Sequence, residues 1–259
     1  MNEDKYLLAN IEDKITRCRE KDMLTHSLFL DLRQRSLAEG LARQAGIRRI
    51  YWGGWPDAQR TVLVCLPDYI EPDPSGTDIF RDFPEDEPLM VLRARTSEKA
   101  KTLTHRDYLG SLMSLGVKRE FVGDILVRPE GADIVILKEI REFLMMNYGR
   151  AGRTSFSLEE VSLADILLPE QKVRYKSDTV ASLRLDNVIS SAFGGSRTSA
   201  AAAIKGGLVF VNNLQTEKPD HPVREGDSLV LRHRGKAVLE EIGGKSRKDR
   251  QYIKIKIFE

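Results

Sequence analysis

The sequence is poor in the residues that staple, metallate or anchor a chain. It holds two cysteines, Cys18 and Cys65, far apart, and four histidines (His26, His105, His221, His233) without ligand spacing. A disulfide framework and a structural zinc are excluded as organising devices, and a reduced, cytoplasmic protein without metal or cofactor is expected. No run of about 18 apolar residues occurs, so no transmembrane helix and no membrane partner are expected. The opening MNEDKYLLANIEDK has no apolar stretch of the signal-peptide kind. Glycine-rich cofactor loops of the G-x-G-x-x-G type are missing, as are serine and cysteine nucleophile motifs. His105-Arg106-Asp107 has a kinase look, but Leu112 stands where the catalytic-loop asparagine belongs. No enzymatic activity is expected.

What is present is an uneven charge. Residues 1–183 carry 27 Lys/Arg against 30 Asp/Glu, a net of −3, whereas residues 184–259 carry 14 against 9, a net of +5. Excess positive charge near the C-terminus is what attraction to phosphate requires.

The most informative stretch lies in that basic segment, RLDNVISSAFGGSRTSAAAAIKGGLVFVNN, residues 184–213. Leu185, Val188, Ile189, Ala192 and Phe193 fall on one helical face. Gly194-Gly195 stops that helix, and Ser196 is a good N-cap for a second one. Arg197 then sits at the first helical position, where a cation opposes the macrodipole, so an external anion is the expected reason for it. The run Ser199–Ala203 is helical and thin, Gly206-Gly207 ends it, and Asn212-Asn213 suits a tight hairpin turn. The order R-L-D-x-x-I, S-R, I-x-x-G-x-V-x-V-N resembles the S4 RNA-binding domain, an αL-type module. The strand Asp227–Arg232 after Val223-Arg224-Glu225-Gly226 fits the same pattern. The resemblance implies RNA contacts by Arg184, Ser196, Arg197, Thr198, Lys205, Asn212, Arg232 and Arg234, with Asp186 holding the first helix by local hydrogen bonds.

The fold class expected is α+β and multidomain. Residues 1–85 read as a small N-terminal α/β domain: helices over 1–19 and 29–45, then strands over 47–52 and 61–66. Trp52 and Trp55 invite base stacking, but packing at a hairpin is the preferred reading. Within it, residues 67–88 hold five of the ten prolines and eight acids against one arginine, which reads as a linker or as a site for a basic partner. Residues 86–165 give β-α-β-β-α-β, the ferredoxin-like arrangement also used by RNA-recognition modules, without their aromatic strand signature. Thr104 and Asp107 suit a capping arrangement at the first of those helices. Residues 178–259 form the S4 domain, with strands over 230–234, 237–242 and 252–258. The basic loop 243–250 reads equally as a phosphate grip or a solvated hairpin tip.

LGSLMSLGVKRE at 109–120, Gly123-Asp124-Ile125, His105-Arg106-Asp107, Gly53-Gly54 and TVASLRLD at 179–186 together are similar to the YlmH family of bacterial S4-domain proteins. That resemblance implies association with the ribosomal large subunit, rRNA and peptidyl-tRNA as partners, and a part in quality control of stalled translation. A monomer is expected. The alternative is an RNA-modifying enzyme targeted by its S4 domain; Arg184-Leu185-Asp186 is like the catalytic motif of pseudouridine synthases, but the residues that should follow it are missing.

Overall fold

Ile11, Ile15 and Cys18 recur at helical spacing and form the buried side of α1 (Asn2–Lys21) in the computed structural model. The structure describes residues 2–72, 77–97, 102–170 and 172–258. The chain divides into two compact units, Met1–Pro169 and Glu170–Glu259.

In the first unit, β1 (Thr25–His26) is followed by α2 (Leu32–Ala45). Asp31 and Gln34 close a capping box on α2, and Gly46 ends it in the left-handed conformation. β2 (Arg48–Trp52) and β3 (Val62–Leu66) complete an antiparallel sheet of order β1-β3-β2. Next come α3 (Thr77–Asp82), β4 (Leu89–Thr96), α4 (His105–Ser114), β5 (Val122–Arg128), β6 (Gly131–Leu137), α5 (Arg141–Asn147), β7 (Arg150–Ala151) and β8 (Thr154–Val161). Their sheet has the order β5-β6-β4-β8-β7, antiparallel throughout, which is the expected ferredoxin-like βαββαβ with one short added strand. The capping box at Thr104 and Asp107 starts α4 as read from sequence.

Strand alternation turns these elements into four layers. Leu63 and Cys65 face α1 and α2, while Val62, Val64 and Leu66 face the other way. There they meet Leu89, Val91, Val135 and Leu137 of the five-stranded sheet, with Phe29, Trp52, Ile79 and Phe80 between. Leu92, Ala94, Ile134 and Ile136 point to the far side, onto Tyr108 and Leu112 of α4 and Leu144 of α5. Burying a Val or Leu is worth about 1.5–3 kcal/mol, so the four side chains of the middle sheet that meet the N-terminal sheet represent about 6–12 kcal/mol. That is comparable to the whole stability of a domain.

The acidic stretch 67–88 is therefore more than a linker. Ile70, Ile79 and Phe80 are buried in that shared core and Glu87 reaches in to Trp52, while Asp68, Glu71, Asp82, Glu85 and Asp86 stay exposed. Residues 73–76 of the stretch lie outside the described residues. The boundary expected near residue 85 falls within this unit. Trp52 is buried and its indole N–H donates to Glu87 at 3.1 Å, and Trp55 donates to Asp124 at 3.3 Å, so both serve packing.

The second unit opens with β9 (Val173–Val180), a strand with no reading in the sequence. Then follow α6 (Leu185–Phe193), α7 (Arg197–Lys205), β10 (Val209–Val211), β11 (Leu214–Gln215), β12 (Ser228–Leu231), β13 (Gly235–Lys245) and β14 (Gln251–Phe258). They form a six-stranded sheet of order β11-β10-β12-β13-β14-β9. Both helices cover one face, packing Leu185, Val188, Ile189, Ala192, Ala200 and Ile204 on Leu229, Leu239, Ile253, Ile255 and Ile257. Asn212 and Asn213 take φ of 50° and 66°, the mirror-image turn expected between β10 and β11. Two boundaries differ from the sequence reading. β12 stops at Leu231, leaving Arg232–Arg234 as a turn with His233 at φ 67°, and β13 runs on through Gly243–Lys245. The 243–250 stretch is thereby reduced to a short hairpin tip, tied by Lys245 to Asp249 at 2.7 Å.

Candidate nucleic-acid interface

The site expected at the α6–α7 corner is built around one buried carboxylate. Leu185 N–H and Asp186 N–H donate to the carbonyls of His221 and Pro219, so the first turn of α6 is satisfied by a neighbouring loop and needs no side-chain cap. Asp186 sits in that turn with its side chain 4% exposed. It accepts from Arg184 Nε at 3.3 Å and Nη2 at 3.1 Å, and from Arg197 Nε at 3.0 Å. Burial alone would push this carboxyl up; the bonds from the two arginines outweigh it and hold the group below its ordinary value.

This changes the role given to Asp186. It does not merely hold its own helix but joins the starts of both helices, eleven residues apart in sequence. It also supplies, from inside the chain, an anion for the Arg197 cation at the positive end of α7. The guanidinium of Arg197 remains 55% exposed and that of Arg184 40%. Among the described residues Arg197 makes a single side-chain hydrogen bond, through Nε, which leaves the donors of its terminal amino groups available to a ligand.

The turn before α7 fixes what stands beside them. Gly194 and Gly195 take φ of 76° and 97°, and a Cβ on Gly195 would come within 3.0 Å of Ser199 Oγ. Ser196 caps α7, accepting from Ser199 N–H at 3.0 Å, and its carbonyl accepts from Ala200 N–H. The N–H groups of Arg197 and Thr198 are left at the helix start beside the two guanidinium groups, an arrangement suited to an anion. Thr198, Ala202 and Lys205 line the exposed side of α7, while Ala200 and Ile204 are buried.

The remaining expected residues fall elsewhere. Lys205 ends α7 about 12 Å along the axis from Arg197, at the rise of a helix. Arg232 N–H donates to Leu208 O at 2.9 Å, which places the Arg232–Arg234 turn beside the chain leaving α7. Two basic groups therefore flank one thin helix. Asn212 joins neither: its side-chain amide donates to Asp227 at 2.8 Å and its oxygen accepts from Ser228 N–H at 2.9 Å, so it staples the sheet. Sequence reasoning missed Lys176, which donates to the Ser191 carbonyl at 2.6 Å and closes the end of α6. It lies on the unread strand β9.

In the first unit, among the described residues, both faces of the five-stranded sheet are covered by neighbouring layers. Asp133 is fully buried and accepts from Arg93, Arg128 and Leu167 N–H, which pins the segment after β8 across the sheet. Among the described residues there is no group of three or more His, Cys, Asp or Glu that could hold a metal ion, and no helix long and apolar enough to cross a membrane.

Two family models match parts of this chain. Residues 84–165 match the model described as the putative RNA-binding domain in YlmH, and residues 183–229 match the S4 domain. A solved structure titled cell division protein ylmH, from Streptococcus pneumoniae, is 26% identical with a TM-score of 0.49, over 64% of this chain and 95% of that one. The ribosome-associated protein quality control protein P2 of Bacillus subtilis (strain 168) is 33% identical over 222 residues, 86% of this chain and 82% of the relative. With an S4 helix corner behind a YlmH-type domain, and identity of that extent along most of both chains, the protein belongs to the YlmH family.

Proposed function

We propose that this chain is a non-catalytic RNA-binding protein that associates with the ribosome, on large-subunit rRNA or peptidyl-tRNA, and takes part in quality control of stalled translation. The ribosomal part rests on the similarity to the ribosome-associated quality control protein of Bacillus subtilis. The RNA-binding part is carried by one observation, the Asp186 carboxylate that fixes Arg184 and Arg197 beside the open start of α7. A phosphate placed there meets two guanidinium groups and two backbone N–H donors, the strong charge-assisted kind of hydrogen bond. Lys205 then supplies charge at the far end of the same helix, and Arg232 and Arg234 supply it from the turn after β12. The proposed RNA contacts are Arg184, Ser196, Arg197, Thr198, Lys205, Arg232 and Arg234, with Asn212 supporting the sheet beneath.

Binding to purified large subunits, measured against salt, tests the reading. If four to six phosphates are neutralised, log K falls with log salt at a slope of roughly −3 to −5. Arg197→Ala is expected to weaken binding at every salt concentration and to make that slope shallower by about 1. Unchanged affinity in this variant rejects the site.

A further inference from the structure

The helices cover one face of the C-terminal sheet. Side chains alternate along β14, so while Ile253, Ile255 and Ile257 enter the core, Tyr252, Lys254, Lys256 and Phe258 line the opposite face. The pairing of β14 with β9 sets Tyr175 across from Lys256 and Thr179 across from Tyr252, and β13 adds Lys236 across from Phe258. The result is a surface of rings and lysines. Lys254 Nζ lies 5.0 Å from the Tyr175 ring centre, Lys256 Nζ 5.1 Å and Lys236 Nζ 5.2 Å from that of Phe258. Tyr175 and Tyr252 are 55% and 50% exposed.

We propose that this face is a second RNA-binding surface, which takes unpaired bases on Tyr175 and Tyr252 while Lys254 and Lys256 hold the phosphates between them. The strands that build it, β9, β13 and β14, all lie outside the residues that match the S4 domain. The two tyrosines are four residues apart along adjacent strands, about 13 Å along and about 5 Å across, room for a short run of splayed nucleotides. Stacked rings with interleaved cations are the chemistry that binds single strands without reading sequence. Glu240 and Glu241 on β13 offset part of the charge, Glu240 pairing with Lys254 at 3.0 Å. The three lysines still exceed them, and exposed Arg247 and Lys248 extend the positive field at the hairpin tip. An acidic peptide would use the lysines but gains nothing from two half-exposed tyrosine rings in their midst. The inference rests on the RNA-binding reading of the chain, though not on the Arg184–Arg197 corner.

The test uses the full chain and a labelled ten-nucleotide oligouridine, followed by fluorescence anisotropy. Tyr175→Ala with Tyr252→Ala is expected to weaken binding about tenfold or more, since each lost stack carries a substantial share of single-strand affinity. Tyr175→Phe with Tyr252→Phe keeps the rings and is expected to bind like the wild type. In an Arg197→Ala background, where the corner's phosphate contact is already lost, the tyrosine-to-alanine pair should still weaken oligouridine binding about tenfold, so failure of one surface is separable from failure of the other. Three results would each overturn the proposal: full affinity in the alanine pair, equal loss in the phenylalanine pair, or competition by polyglutamate as effective as by unlabelled oligouridine. The last would assign the face to an acidic protein partner.

Discussion

The two large sheets of this protein begin alike and end differently. Each is antiparallel, and each carries two helices on one face. In the middle sheet the second face is filled by the N-terminal layers, down to Phe29 and Trp52. In the C-terminal sheet the second face carries tyrosines and lysines open to solvent. A shared arrangement of strands and helices therefore does not share out function: what covers the sheet decides whether it can meet another molecule.

The contrast breaks most sharply at the buried ion cluster of the covered sheet. Asp133→Ala leaves Arg93 without a carboxylate and Arg128 with Glu130 alone, in a site where both arginines are almost wholly buried. Stripping one member from such a cluster costs about 3–5 kcal/mol, expected as a lower urea midpoint for the first unit. A small change in midpoint would mean that the segment after β8 is not pinned as described.

Glu87 tests the same buried layer through pH. Burial pushes its carboxyl up to about 7, above the 4.5 expected when unfolded. The folded state therefore holds the extra proton, and stability falls as pH rises from about 4.5 to about 7, then levels off. The full difference corresponds to about 3 kcal/mol. Glu87→Gln should remove most of that slope and raise the midpoint at pH 8 relative to wild type. Parallel pH curves for the two proteins would contradict it.

The smallest expected effect separates position from charge at the open corner. Asp186→Asn adds net positive charge but frees Arg184 and Arg197. If fixed geometry matters, affinity for large subunits falls by about 1.5- to 5-fold, the worth of one exposed pair. If charge alone matters, it rises.

Much of the helix corner was readable because its signals are local. Gly194, Ser196 and the Asn212-Asn213 turn each state a backbone requirement within a few residues. The ferredoxin-like order was readable for the same reason, from periodicity and turns. The Asp186–Arg197 bond was not, because it depends on two helix starts meeting in space. Strand β9 escaped because VRYKSDTV buries only Val180 fully and is polar on both faces, so no period stands out. In the acidic stretch Ile70, Ile79 and Phe80 gave no signal because they are outnumbered by solvated neighbours, and composition averages over the side chains that matter.

Cys18 and Cys65 lie in the innermost part of the N-terminal layer, both free. Burial pushes the Cys65 thiol up to about 12 and the Cys18 thiol up as well, so at neutral pH both stay in the unreactive thiol form. The native protein is thus nearly silent to thiol reagents and tolerant of oxidants. Modification of Cys65 becomes a clock for the opening of that layer, and a cysteine placed on the surface would be the one handle a probe could find.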